Sequence, residues 1–82
     1  MKNDLVSRIY SLFENILRVP GDKLSEQTRR GDVEEWDSLG HILLIEALSK
    51  EFEVKISPEQ ALEMETIQDI IQMVTKLKKS LL

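Results

Sequence analysis

Apolar residues recur at helical spacing in three stretches of this chain. In the first, Leu5, Ile9, Leu12, Ile16 and Leu17 fall three, four and one positions apart, with Phe13 adjoining. They form one stripe on a helix from about Asn3 to Arg18. Pro20-Gly21-Asp22 ends it, because proline biases its predecessor away from helix and glycine allows the turn. Residues 19 to 37 then lack a clear period. A loop of that length in a compact domain is often functional or partly structured. Leu24, Val33 and Trp36 are its expected anchors to the core, and Gly31 adds a flexible point.

A second helix is expected from about Ser38 to Phe52. Asp37 and Ser38 are both good N-cap residues, since their oxygens accept first-turn amide hydrogens. Glu53-Val54-Lys55-Ile56 reads as a short extended stretch. Ser57-Pro58-Glu59-Gln60 restarts a helix, with a serine cap, proline at the first position and glutamine three after the cap. This third helix is brief, about Pro58 to Glu63. Thr66-Ile67-Gln68-Asp69 opens the fourth, whose stripe is Ile67, Ile70, Ile71, Val74 and Leu77. Lys76, Lys78 and Lys79 near its end complement the helix dipole. Met64 and Met73 read as core fillers. No strand pattern emerges. The predicted fold is all-α: a small four-helix bundle with three longer helices, one short helix and a long first loop, forming a single domain over 1–82.

The second helix carries two apolar faces. On a wheel at about 100° per residue, Leu44, Ile45, Leu48 and Phe52 share one side with His41. Leu39, Ile42 and Leu43 lie opposite, with Glu46, Ser49 and Lys50. One buried stripe is enough for a bundle helix, so the second group is expected to be partly exposed, near the helix start. Exposed apolar clusters rimmed by polar groups mark partner sites. The alternative is a central helix buried on most sides.

Composition narrows the function. With 82 residues there is room for one domain. Fifteen acids against eleven bases give a net charge of −4, which disfavours nucleic acid as a partner. There are no cysteines, so disulfides and thiolate metal sites are excluded; this suits a cytoplasmic location. A single histidine leaves no His-rich metal site, and no metal is expected. No apolar run approaches the ~20 residues of a membrane span. The start, Met1-Lys2-Asn3-Asp4, does not read as a signal peptide. It begins with Met1 and ends soon after the last helix, which suits a free-standing monomer.

Ser38 is the candidate reactive residue. A hydrolase would need Ser38 as nucleophile and His41 as base, oriented by a third group. Nothing resembles a nucleophile elbow, and the wheel turns His41 towards the core. No catalytic residue is therefore assigned, and His41 reads as structural. Glu34, Glu35 and Asp37 form an acidic run without calcium-loop spacing, and read as a solvated loop. Asp37 contributes to the cap and to negative charge around Ser38. Trp36 reads as a loop anchor near any site at Ser38.

The segment Trp36-Asp37-Ser38-Leu39 resembles the attachment motif of the acyl carrier protein family, which includes peptidyl carriers. In that family an Asp-Ser-Leu triplet opens the second helix. Leu44-Ile45-Glu46-Ala47-Leu48, then Glu51-Phe52, Val54 and Ile56, then Thr66-Ile67-Gln68-Asp69-Ile70-Ile71 follow in the family's order, from about Leu5 to Leu77. The resemblance implies 4′-phosphopantetheine attached covalently to Ser38 by a phosphopantetheinyl transferase acting on coenzyme A. The arm's terminal thiol would carry an acyl or aminoacyl thioester. Partner enzymes would load and transfer that cargo, so the chain itself would not be an enzyme. Asp37, Leu39, Ile42, Leu43 and Glu46 would be docking contacts. A phosphate at a helix start is also physically well placed, near free amides and the positive dipole end.

Many fatty-acid carriers of the family have acidic residues at the positions of Gly40 and Leu43. This chain has Gly40, His41 and Leu43 there, and Lys50 further along. Docking to basic patches of housekeeping fatty-acid synthases is therefore disfavoured. The expectation is a dedicated carrier for a specialised route: polyketide, lipid-modification, aminoacyl or surface-polymer biosynthesis. The alternative is an unmodified helical interaction domain using the Leu39/Ile42/Leu43 face.

Overall fold

The computed structural model describes residues 4–80; Asn3, the expected start of the first helix, lies outside them. Four α-helices follow one another: α1 (Asp4–Leu12), α2 (Ser38–Phe52), α3 (Pro58–Glu63) and α4 (Ile67–Ser80). The only β-pairings among the described residues are two isolated bridges, Arg29 with Thr66 and Arg30 with Val33. The core joins Ile9 and Phe13, Leu44, Leu48 and Phe52 of α2, and Ile67, Ile70 and Val74 of α4, all essentially inaccessible to solvent. Met64 lies among them. No helix among the described residues is long and apolar enough to cross a membrane.

The first helix departs from expectation in its final turn. Instead of continuing as α-helix to Arg18, it widens into a π-helical turn over Phe13–Leu17. Arg18 then adopts a left-handed conformation, φ 62° and ψ 34°, and its N–H donates to the Glu14 carbonyl at 3.0 Å. A π turn inserts one residue into the helical register. Phe13 and Leu17 therefore face the core, and Ile16, expected in the buried stripe, is exposed.

The long first loop has no period because its contacts are tertiary. Val19, Leu24 and Trp36 are buried, and Val33 packs against the core. The Trp36 ring meets Phe13 edge-on, with centroids 4.9 Å apart and planes at 87°, a geometry the aromatic quadrupoles favour. Backbone bonds stitch the loop to the start of α4: Arg30 N–H to the Glu65 carbonyl at 2.7 Å, Ile67 N–H to Thr28 at 3.2 Å and Gln68 N–H to Glu26 at 3.0 Å. Gly31 takes φ +98°, a conformation that favours glycine.

The helix starts are as read. Ser57 Oγ accepts from Gln60 N at 3.1 Å and Gln60 Oε1 accepts from Ser57 N at 2.9 Å, a reciprocal capping box. Thr66 and Asp69 repeat that exchange before α4. The end of α2 differs from the reading. Glu53 is left-handed rather than extended, φ 56° and ψ 48°. Its N–H and that of Val54 both reach the Ser49 carbonyl, which closes the helix and turns Val54 into the core.

Candidate functional site

The start of α2 separates two roles that the sequence left shared between Asp37 and Ser38. Asp37 is the cap: it has extended backbone, and its Oδ1 accepts from Gly40 N at 2.8 Å. Ser38 is the first helical residue and is exposed. Its hydroxyl has no hydrogen-bond partner among the described residues. The amides of Ser38 and Leu39 precede the first intrahelical bond, His41 N to Asp37 O at 2.8 Å, and remain available to an anion.

Gly40 is not a surface position of the partner face, contrary to the comparison made from sequence. It is buried under the loop. A Cβ there would stand against the Glu35 carbonyl oxygen, with Leu17 Cδ2 at 3.0 Å and Asp37 Oδ1 at 3.2 Å. An acidic side chain has no room, so glycine here says nothing about docking charge. Gly40→Ala is expected to destabilise the fold. Overpacking against backbone costs about 1–3 kcal/mol, more than the ~1 kcal/mol gained in helix propensity. Urea unfolding should show a lower midpoint.

His41 is buried at 5% exposure, and both ring nitrogens are engaged. Nδ1 accepts from Trp36 Nε1 at 3.0 Å. An indole N–H only donates, so the proton of neutral His41 must sit on Nε2, which donates to the Ala61 carbonyl at 2.8 Å. Burial lowers its pKa, the bond to Ala61 opposes this, and the Arg30 charge adds to the lowering. No lone pair is left to activate Ser38. His41 instead ties the first loop, through Trp36, to α2 and α3.

The two faces of α2 separate as the wheel predicts, with one adjustment. Leu44, Leu48, Phe52 and His41 are buried, while Leu39, Ile42 and Leu43 are 65%, 60% and 45% exposed. Glu46 is exposed beside them. Ile45, assigned to the core face, is only half-buried. It lines an apolar groove of about 520 Å³ that runs from Ser38 along Ile42 and Ile45 of α2 and faces Ala61 and Leu62 of α3. Arg30, from the first loop, also lines it. Arg30, Ala61 and Leu62 were missed in the sequence. Leu62, at 69% exposure, left a signal: an apolar residue on a short helix with no buried stripe of its own.

The donor set fits a phosphopantetheine arm. An unpartnered primary hydroxyl sits at a helix start, two free amides lie beside it, and one cation shares the apolar groove that opens next to it. Ser38, Arg30 and the groove residues would hold such a group.

Comparison with known proteins agrees. Residues 7–74 match the family model described as "Phosphopantetheine attachment site". A search of curated proteins finds no match. The family match spans most of the chain, from within α1 to the middle of α4, and takes in the Asp37-Ser38-Leu39 helix start and the groove beside it. The chain therefore belongs to the acyl carrier protein family, whose members carry covalently attached 4′-phosphopantetheine.

Proposed function

We propose that Ser38 is the attachment point and that residues 1–82 act as one carrier domain for acyl or aminoacyl groups. The observation that supports this most directly is the exposed Ser38 hydroxyl, left without a hydrogen-bond partner because Asp37 does the capping. In the attachment step a phosphopantetheinyl transferase joins Ser38 Oγ to the β-phosphorus of coenzyme A. The pyrophosphate P–O bond breaks, 3′,5′-ADP leaves, and the hydroxyl proton passes to a base on the transferase. When bound, the arm supplies the terminal thiol on which the cargo is held as a thioester. His41 cannot serve as a base, so loading and transfer belong to partner enzymes and the chain acts without catalysis of its own.

Intact mass tests the reading. Incubation with coenzyme A and a broad-specificity transferase should add one phosphopantetheinyl group, and fragmentation should place it on Ser38. No gain with several transferases would sink the carrier role. The exposed Leu39/Ile42/Leu43 face would then be that of an unmodified interaction domain.

That face is the docking surface of the proposed carrier, with Asp37 and Glu46 at its rim. Its charge supports a specialised route rather than housekeeping fatty-acid synthesis. Among the charged residues of α2, Glu46 and Lys50 offset one another, and Glu51 is tied to Arg8 Nε at 2.8 Å. With Leu43 also uncharged, a partner with a basic patch finds little to grip. Polyketide, lipid-modification, aminoacyl and surface-polymer routes all fit, in a cytoplasmic monomer. Efficient elongation by a housekeeping fatty-acid synthase would count against this assignment. Leu39→Asp is expected to lower kcat/KM of its transferase about tenfold, the effect of losing ~1.4 kcal/mol at an interface anchor. Its unfolding midpoint should hold, because Leu39 is mostly exposed.

A further inference from the structure

Among the described residues, Arg30 is the one cation lining the groove beside Ser38. It is half-buried, and its backbone is clasped by the Glu65 carbonyl at 2.7 Å and by the bridge to Val33. Its guanidinium makes one long contact, Nη1 to the Met64 carbonyl at 3.4 Å. No carboxylate pairs with it among the described residues, whereas its neighbour Arg29 pairs with Glu65 at 2.7 Å. Glu46, the groove's carboxylate, is exposed and forms no ion pair with it. In a chain of net charge −4, an arginine of intermediate exposure with no carboxylate partner among the described residues keeps its charge available to an incoming anion. An arginine offers five donors in a planar fork suited to phosphate oxygens, and Arg30 spends one.

The anion closest to the protein in an attached arm is the phosphodiester on Ser38 Oγ. The free amides of α2 face it from the helix side, and the shared groove puts Arg30 within the same apolar surroundings, where an ion pair is screened less than on open surface. The loop clasp holds Arg30 in place beforehand, so little freedom is lost on binding.

We propose that Arg30 is a positioning residue for the prosthetic arm: its guanidinium donates to the phosphodiester at Ser38 and so directs the arm along the α2–α3 groove towards Ala61 and Leu62. This rests on the reading that Ser38 carries the arm. The competing role for Arg30 is to neutralise the carbonyl end of α3 through Met64, which would act equally with and without the arm.

The experiment compares apo and holo forms of the wild type, Arg30→Gln and Arg30→Lys by NMR, after intact mass has verified loading of each. In the wild type, attachment should shift the Arg30 Nε–H resonance and the backbone amides of Ala61 and Leu62. The phosphorus resonance of holo Arg30→Gln should move away from the wild-type position, with Arg30→Lys in between, and the Ala61 and Leu62 shifts should be lost in Arg30→Gln. An Nε–H resonance unmoved by attachment overturns the proposal without needing any variant. So does a phosphorus resonance identical in wild type and a folded Arg30→Gln. Those results, obtained on protein carrying the arm, would leave the Ser38 assignment standing; absence of loading would overturn both.

Discussion

Ser38→Ala is expected to give a folded protein that gains no phosphopantetheine under conditions that load the wild type fully. The loss should be complete, because the substitution removes the only oxygen to which the arm is proposed to join. The fold should hold because Ser38 does no capping. Asp37 accepts the Gly40 amide, and alanine at the first helical position is a good helix former. The unfolding free energy should therefore change by no more than about 0.5 kcal/mol, as for other surface substitutions. Asp37→Ala makes the opposite pair of changes: it should lose about 1 kcal/mol with the cap yet keep the hydroxyl and still load to completion, if more slowly for want of a docking contact. Intact mass and urea unfolding measured on both variants separate the chemical role from the structural one. A loaded Ser38→Ala protein would remove the assignment.

Trp36→Ala is expected to be the most damaging core substitution in the first loop. Trp36 is fully buried, packs on Phe13 and donates to His41. Removing a buried aromatic side chain costs roughly 3–5 kcal/mol. A domain has about 0.05–0.15 kcal/mol of stability per residue, so over 82 residues the margin is about 4–12 kcal/mol and a large part of it would go. Far-UV circular dichroism in urea should show a midpoint far below that of the wild type. Trp36→Phe keeps a ring against Phe13 but deletes the N–H, leaving the acceptor on His41 unmatched at about 1–3 kcal/mol.

His41 also sets the pH response. His41 is lowered from 6.5 in the folded chain, first by burial. The unfolded chain then binds the proton more readily, so stability is full above about pH 6.5 and falls as pH drops below it, until the folded form also protonates. One side chain contributes at most about 1.4 kcal/mol per pH unit. The chain has one histidine, so unfolding measured between about pH 5.5 and 7 reports this group.

Gly40, by contrast, illustrates how a residue can mislead when only its type is known. By type alone it reads as an acidic docking position lost relative to other family members. In the fold it lies beneath Glu35, where a side chain does not fit. Ile16 misleads in a similar way, since the spacing of α1 assumes a constant helical register and the π turn breaks it.

Sequence alone determined what depends on neighbours within about one helical turn: the starts of α3 and α4, the stripe of α4, the two faces of α2 and the serine that opens it. Caps and stripes are short-range, because side chains three and four apart meet on a helix. Family order in Asp37-Ser38-Leu39 and the segments after it then turned Ser38 from a helix residue into a candidate attachment point. Tertiary structure decided the rest. Only packing of Phe13 and Leu17 against the core reveals the widened turn. Only the meeting of Trp36, His41 and Ala61 sets the imidazole's tautomer. Arg30, Ser38 and Leu62 share one groove because the first loop is stitched across to α4, and contacts between residues so far apart in the chain leave no periodic trace in it.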